Sequence, residues 1–181
     1  GVPGAFMSLL NISFLNEAIN EKNILEPNEV FNHVRKRLIE NISQSGRQDG
    51  MDGILICINR EKNRIRYAAA NNAPMLFNGK EIIELEADKM PVGKGEKTEA
   101  FKLYEFNVAK GDIIYLITDG YADQFGGTKG KKFKYKQLKE IISGLTNKTV
   151  QQQKEILEQQ FLNWKGNLEQ VDDVTVLGIK I

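Results

Sequence analysis

A chain of 181 residues, 41% of them hydrophobic, has the size of one ordinary domain and enough apolar side chains for a core, which excludes a wholly disordered protein. Its 25 basic and 24 acidic residues nearly cancel, so no global field pulls it onto nucleic acid or an anionic membrane. The single Cys57 excludes a disulfide framework and a multi-cysteine zinc site, and the single His33 argues against a His-rich metal site or a Ser/His triad.

Along the chain, Met7, Leu10, Phe14 and Ala18 recur on one helical face and predict a first helix over Ala5–Asn20. Pro27 suits the start of a second helix, Pro27–Ser43, with Glu29 in its first turn and Phe31, Val34, Leu38 and Ile42 as its apolar stripe. The stretch Ser43-Gln44-Ser45-Gly46 is expected to end it. The β-branched run Ile54–Ile58 predicts a strand buried on both faces. Ile65, Tyr67 and Ala69 alternate with Arg64, Arg66 and Ala68, the pattern of a half-exposed strand. Asn78-Gly79, between Met75–Phe77 and Ile82–Ile83, signals a hairpin. A strand over Phe101–Val108 turns at Lys110-Gly111-Asp112 into the buried run Ile113–Ile117. One helix is expected from Tyr135 to Leu145, with Leu138, Ile141, Ile142 and Leu145 inward. Another opens with the capping box Thr149–Gln152, buries Leu157, Phe161 and Trp164, and stops at Gly166. Val174–Ile181 closes the chain as a strand. This order indicates an α+β layered domain, one unit over residues 1–181 with no linker or repeat. No apolar run is long enough to span a bilayer, and Gly1–Met7 lacks the positive charge of a secretion signal, so the chain reads as cytoplasmic.

The placement of the eight aspartates points to the chemistry. Asp119 follows the run Ile113–Thr118, and Gly120 behind it lets the backbone turn sharply. Asp172 and Asp173 stand at the start of the last strand. If these two strands are antiparallel neighbours, Asp119 and Asp172 converge on one sheet edge. Two carboxylates that close repel by about 4 kcal/mol at an effective dielectric of about 20, a cost that a cation between them removes. Oxygen-only ligands favour Mg²⁺, Mn²⁺ or Ca²⁺. Asp-Gly after a strand is also the composition of a plain turn, so only the pairing carries the metal reading.

Other features have plainer readings beside the functional ones. Asp49 and Asp52 suit turn or cap duties, with Asp52 lining a site as the alternative. Asn71 and Asn72 read first as a turn that tolerates unusual dihedrals, with contact to a substrate as the alternative. Lys129, Lys131, Lys132, Lys134 and Lys136 form either a solvated patch or an attraction for a phosphoprotein. Pro91–Thr98 superficially looks like a phosphate loop but lacks the first Gly and a following helix. Cys57 is expected to be inert packing. His33, beside Arg35 and Lys36, is expected to face solvent.

Five ordered stretches carry a family resemblance. Gly1-Val2-Pro3-Gly4-Ala5-Phe6-Met7-Ser8 resembles the second half of the motif Asp-x-Thr-Gly-His-Gly-Val-Pro-Gly-Ala of the SpoIIE/RsbU-type bacterial serine phosphatases. These are a branch of the metal-dependent, protein-phosphatase-2C-like superfamily. Asp49-Gly50-Met51-Asp52 precedes the first buried strand. Tyr67-Ala68-Ala69-Ala70-Asn71-Asn72-Ala73-Pro74 is similar to the family's Ala-Gly-Ala-Asn-Asn-Pro stretch. Thr118-Asp119-Gly120 is similar to Ser/Thr-Asp-Gly, and Asp172-Asp173-Val174-Thr175 to Asp-Asp-hydrophobic-Thr. The tract Asp123-Gln124-Phe125-Gly126-Gly127 to Lys131-Lys132-Phe133 looks like that of a sub-branch attached to sensor modules.

The resemblance implies an αββα sandwich of two antiparallel sheets flanked by helices. It implies a dinuclear Mn²⁺ or Mg²⁺ centre whose activated water attacks phosphoserine or phosphothreonine directly. Asp119 and Asp172 would bind one metal, with Asp173 the alternative of the pair and Gly120 lining the site. The family's bridging Asp, its carbonyl-donating neighbour and the motif His would precede Gly1. The first strands and one metal's main ligands are therefore expected to be missing, activity to be weak, and a bare sheet edge to invite a homodimer. Implied partners are a phosphoprotein substrate resembling an anti-anti-sigma-type protein and upstream sensor domains coupled through the N-terminal helix pair. The rivals are a non-catalytic phosphatase-fold output module and, more weakly, a phosphohydrolase of small phosphate esters.

Overall fold

The structure, a computed structural model, describes residues 2–42, 50–97 and 99–181. In chain order the elements begin with α1 (Val2–Asn16), a π-helical turn (Glu17–Glu21), α2 (Pro27–Ile42), β1 (Gly50–Met51), β2 (Gly53–Asn59) and β3 (Arg64–Ala70). They continue with β4 (Met75–Phe77), β5 (Ile82–Glu84), β6 (Val92–Gly93), β7 (Tyr104–Asn107), β8 (Ile113–Ile117) and α3 (Asp119–Asp123). Last come β9 (Phe125–Gly126), β10 (Lys131–Lys132), α4 (Tyr135–Leu145), α5 (Val150–Lys165) and β11 (Val176–Lys180). These elements group into two compact units with interleaved segments, Gly1–Ala73 with Glu86–Val108 and Pro74–Leu85 with Ala109–Ile181.

The first unit holds the antiparallel sheet β2-β3-β7. Val30, Phe31, Val34 and Leu38 of α2 share a core with Ala68 and Ala70 of β3, Val92 and Phe101. The methyl-sized alanines leave α2 room to lie on the strand. Phe14 and Ala18 bring the preceding helix into the same core, as their spacing predicts. The strand expectations are reversed here. β2 is half-buried throughout, while β3 is buried at Ile65 and over Tyr67–Ala70. Position explains it, because β3 is central and β2 lies at the edge, so an apolar run alone does not say which strand is flanked on both sides. The strand expected over Phe101–Val108 narrows to β7. The Phe101 amide donates to Asn32 Oδ1 and the Lys102 amide to Asp88 Oδ2, so side chains take the place of a ladder there.

His33 is a second correction. Its side chain is only 15% exposed and its Nε2 lies 3.1 Å from Glu17 Oε1. Glu17 also accepts from Arg37 Nε at 3.0 Å. The π-helical turn is closed by the Lys22 amide on the Glu17 carbonyl, and it sets this carboxylate against α2. The opposite flank of α1 leaves Phe6, Leu9 and Ile12 exposed at helical spacing.

The second unit holds the antiparallel sheet β11-β8-β4-β5. Ile113, Tyr115 and Ile117 of β8 form one core with Leu138, Ile142 and Leu145 of α4 and Leu157 and Phe161 of α5. α4 spans the predicted residues, and α5 has the predicted capping box, Thr149 Oγ1 accepting from the Gln152 amide. The hairpin pairs Phe77 with Ile82. Asn78 Oδ1 accepts from the amides of Lys80 and Glu81, and Gly79 takes a positive φ of 83°, so Asn-Gly opens a four-residue loop rather than forming a two-residue turn. β8 and β11 are antiparallel neighbours in the register Val176↔Ile117 and Lys180↔Ile113, the arrangement on which convergence of the aspartates depends.

Candidate active site

Asp119 is the first residue of α3, directly beyond the end of β8. Asp172 and Asp173 lie in the irregular segment that runs into β11. Because the register places Val176 opposite Ile117, the segment before β11 returns past the end of β8. Gly120 records how close the approach is. A Cβ built there would collide with the carbonyl oxygen of Asp173 and lie 3.3 Å from the Asp172 carbonyl carbon. The glycine is required by a crossing backbone rather than by a left-handed φ. Thus the structure brings Asp119, Gly120, Asp172 and Asp173 to one end of one sheet.

Thr118 laces the two strands at this end. Its amide donates to the Thr175 carbonyl at 3.1 Å, its Oγ1 accepts from the Thr175 amide at 2.9 Å, and the same hydroxyl donates to the Asp173 carbonyl at 3.2 Å. Upstream of the pair, Gln170 Nε2 donates to the Asp172 carbonyl at 2.8 Å. Asp172 Oδ1 accepts from the Asp173 amide at 2.7 Å, a local turn bond. Backbone and side-chain bonds on both sides therefore fix the path of the acidic pair.

Asp52 belongs to the first unit, where its Oδ1 accepts from Asn71 Nδ2 at 2.8 Å. Asn71 has φ 61°, the left-handed turn read from its sequence context, and its amide bonds the Asp88 carbonyl. Gly1, Asp49, Ser43–Gly46 and Thr98 lie outside the described residues. In the lysine patch, Lys131 and Lys132 form β10, and Lys132 Nζ pairs with Asp123 at 2.9 Å while lying over the Phe125 ring. Cys57 is half-buried, with its sulfur 3.9 Å from Arg66 Nη2. One residue bonded to the segment that carries the acidic pair has little local sequence signal: Gln124, a fully buried side chain. In the first unit Asp88 accepts from the Lys102 amide and the Tyr104 hydroxyl.

The family model described as Stage II sporulation protein E (SpoIIE) matches residues 1–181. The chain belongs to the SpoIIE family. Its structure is similar to the SiaA-PP2C domain of Pseudomonas aeruginosa, with a TM-score of 0.90 and 25% identity over 100% of this chain and 71% of that one. The RsbU and RsbW domains of a Mycobacterium tuberculosis protein align with a TM-score of 0.77 at 16% identity, covering 99% of this chain and 48% of that one. RsbX in complex with magnesium aligns with a TM-score of 0.64 at 15% identity, covering 95% and 73%. The last two show the fold alone. Comparison with curated proteins gave no match. The SpoIIE-family domain is thus of the protein-phosphatase-2C-like class, with mixed helices and antiparallel sheets as expected. No helix among the described residues is long and apolar enough to cross a membrane.

The acidic cluster suits a hard divalent cation in kind. Its donors are carboxylate and carbonyl oxygens, the chemistry of Mg²⁺ and Mn²⁺ rather than of zinc or copper. In number it is sparse, since no group of three or more His, Cys, Asp or Glu side chains that could hold a metal occurs among the described residues.

Proposed function

We propose that this SpoIIE-family domain acts, over residues 1–181, as a cytoplasmic metal-dependent protein serine/threonine phosphatase. Its substrate would be a phosphoserine or phosphothreonine on a regulatory protein of the anti-anti-sigma type. The observation that carries the reading is the passage of the Asp172–Asp173 backbone directly over Gly120, one residue from Asp119. Such a crossing gathers negative charge at one sheet end, an arrangement that a cation stabilises. Asp119 and Asp172 would hold Mn²⁺ or Mg²⁺, with Asp173 the alternative of the pair. A divalent cation held there supplies positive charge to a phosphoryl group and acidity to a water, which is the chemistry of phosphomonoester hydrolysis. The chain's own part is positional. Gly120 admits the crossing segment, Thr118 fixes the Asp173 carbonyl, and the end of the sheet presents the carboxylates. The exposed Phe6, Leu9 and Ile12 flank of α1 supports a homodimer, or contact with upstream sensor domains, through the N-terminal helices.

The sparse ligand set favours a second reading, a phosphatase-fold output module that binds its partner without turnover. One experiment separates the two. Mn²⁺-dependent hydrolysis of p-nitrophenyl phosphate and of a phosphoserine protein would be measured for this chain and for the longest natural form that contains it. The phosphatase reading expects Mn²⁺-stimulated turnover that Asp119→Asn abolishes. Turnover absent from every form, with Mn²⁺ and with Mg²⁺, would establish the output module instead.

A further inference from the structure

We infer that Gln124 is a positioning residue that sets the Asp172–Asp173 segment against Asp119, an inference that rests on the metal-phosphatase reading. Gln124 directly follows α3 and is completely buried. Its polar atoms are used across the segment that joins α5 to β11. Nε2 donates to the carbonyls of Glu169 at 2.9 Å and Phe125 at 3.0 Å, and Oε1 accepts from the Val171 amide at 3.2 Å. The side chain thereby grips the backbone on both sides of Gln170, whose side-chain Nε2 donates to the Asp172 carbonyl.

Gln124 is itself anchored from behind. Its carbonyl accepts from Trp164 Nε1 at 3.0 Å and from the Phe133 amide at 2.9 Å. Residues 169–175 lie in no helix or strand. Thr118 clamps this segment on the downstream side of the acidic pair, at Asp173 and Thr175. Gln124 clamps it upstream, at Glu169 and Val171. The carboxylate-bearing residues hang between the two clamps, and both clamps belong to the stretch Thr118–Gln124 that also carries Asp119. A segment without a ladder of its own opens easily, whereas one held at both ends keeps its oxygens within the narrow range that metal ligation needs. An apolar side chain of the same length would fill the space and release the upstream clamp.

The test compares Gln124→Met with the unmodified protein in the longest natural form. Mn²⁺ affinity would be read by isothermal titration calorimetry, and amide exchange at Val171 and Asp173 in metal-free protein. The expected result is Mn²⁺ binding weakened tenfold or more, with faster exchange confined to residues 168–175. Ile142→Val, a core change in the same unit, separates positioning from loss of stability and is expected to leave both readouts unchanged. If Gln124→Met binds Mn²⁺ as the unmodified protein does while Asp119→Asn does not bind, Gln124 positions nothing. If Asp119→Asn also binds normally, the metal reading falls and the positioning role falls with it. Should Gln124→Met fail to fold, Gln124→Asn decides, since it keeps a buried side-chain amide but falls one methylene short of Glu169 and Val171. A several-fold loss of Mn²⁺ affinity there supports the inference, and unchanged affinity overturns it.

Discussion

Single atoms decide two properties of this chain. At Gly120, one added methyl group would occupy the place of the Asp173 carbonyl oxygen, a backbone atom that cannot swing aside as a side chain can. Gly120→Ala should therefore displace the whole acidic segment, at a cost of about 3 kcal/mol, near the upper end for point changes. A displacement of about 1 Å in a ligand-bearing segment is enough to lower Mn²⁺-dependent turnover by about a hundredfold. Urea denaturation and phosphatase assays of the variant check both numbers, and unchanged stability would show that the segment does not cross here. The second property is acid sensitivity at Glu17. Burial raises the pKa of this carboxyl, but hydrogen bonds and charges from Arg37 and His33 outweigh that and hold it below its ordinary 4.5. Lys22 Nζ, a further positive charge, stands 3.9 Å away. A carboxyl with a depressed folded-state pKa contributes stability that is fully present above its unfolded value and is lost as pH falls through the folded one. Stability should therefore decline as pH drops below 4.5, and Glu17→Gln should flatten that decline while lowering stability at pH 7. Denaturation at pH 7 and at successive acid pH values measures the slope, and an equal slope in the variant would remove Glu17 from the account.

Among the elements, the helices were the most legible, because their signals are local. Pro27 starts α2, the Thr149 capping box starts α5, and the 3.6-residue period of Leu138, Ile142 and Leu145 marks α4. Strand burial was legible only in part. Ile54–Ile58 looks more buried than Arg64–Ala70, yet the sheet order puts the alanines of β3 at the centre, and sheet order depends on partners distant in sequence. Nothing local marks the π-helical turn at Glu17–Glu21 either, since its purpose is to bring Glu17 to residues sixteen and twenty positions on. α1 carries the sharpest expectation at this scale. Its inner face is buried at Phe14, and Ala18 of the π-helical turn continues it, yet Phe6, Leu9 and Ile12 leave an exposed apolar stripe. If that stripe is the surface through which the chain pairs, Leu9→Glu with Ile12→Glu should convert a dimer to a monomer and leave the melting temperature of the monomer unchanged, since neither side chain fills the core. Sedimentation equilibrium across a hundredfold range of concentration reads the outcome. A dimer that survives the double change would move the pairing surface elsewhere.

For the whole molecule, the order of the chain differs from the order of its units, and this limits both what the sequence discloses and how the protein can be cut. The return of the Asp172–Asp173 backbone past Gly120, next to Asp119, was legible because it needs only one antiparallel pair, β8 with β11, flanked by recognisable motifs. The buried Gln124 was not, because a glutamine between Asp123 and Phe125 gives no sign of burial until the segment 169–171 is laid across it. The same long-range logic governs the second unit as a body. Its sheet is β11-β8-β4-β5, and the β4–β5 hairpin is supplied from Pro74–Leu85, ahead of the last part of the first unit. β8 therefore has a partner on each side, and one of them arrives from outside the C-terminal stretch. A fragment of residues 109–181 keeps α3, α4, α5, β8 and β11 but loses β4 and β5, with the buried Met75 and Ile82 that belong to the same core. Losing them uncovers the apolar β8 along one edge and empties part of the core, and a two-stranded ribbon is marginal on its own. The fragment should show helical circular dichroism without a cooperative thermal transition. Adding the hairpin as a separate peptide should restore little, because its pairing must then meet the full entropy of association. A sharp, reversible transition in the fragment alone would mean that β4 and β5 are accessory to this unit rather than part of its core.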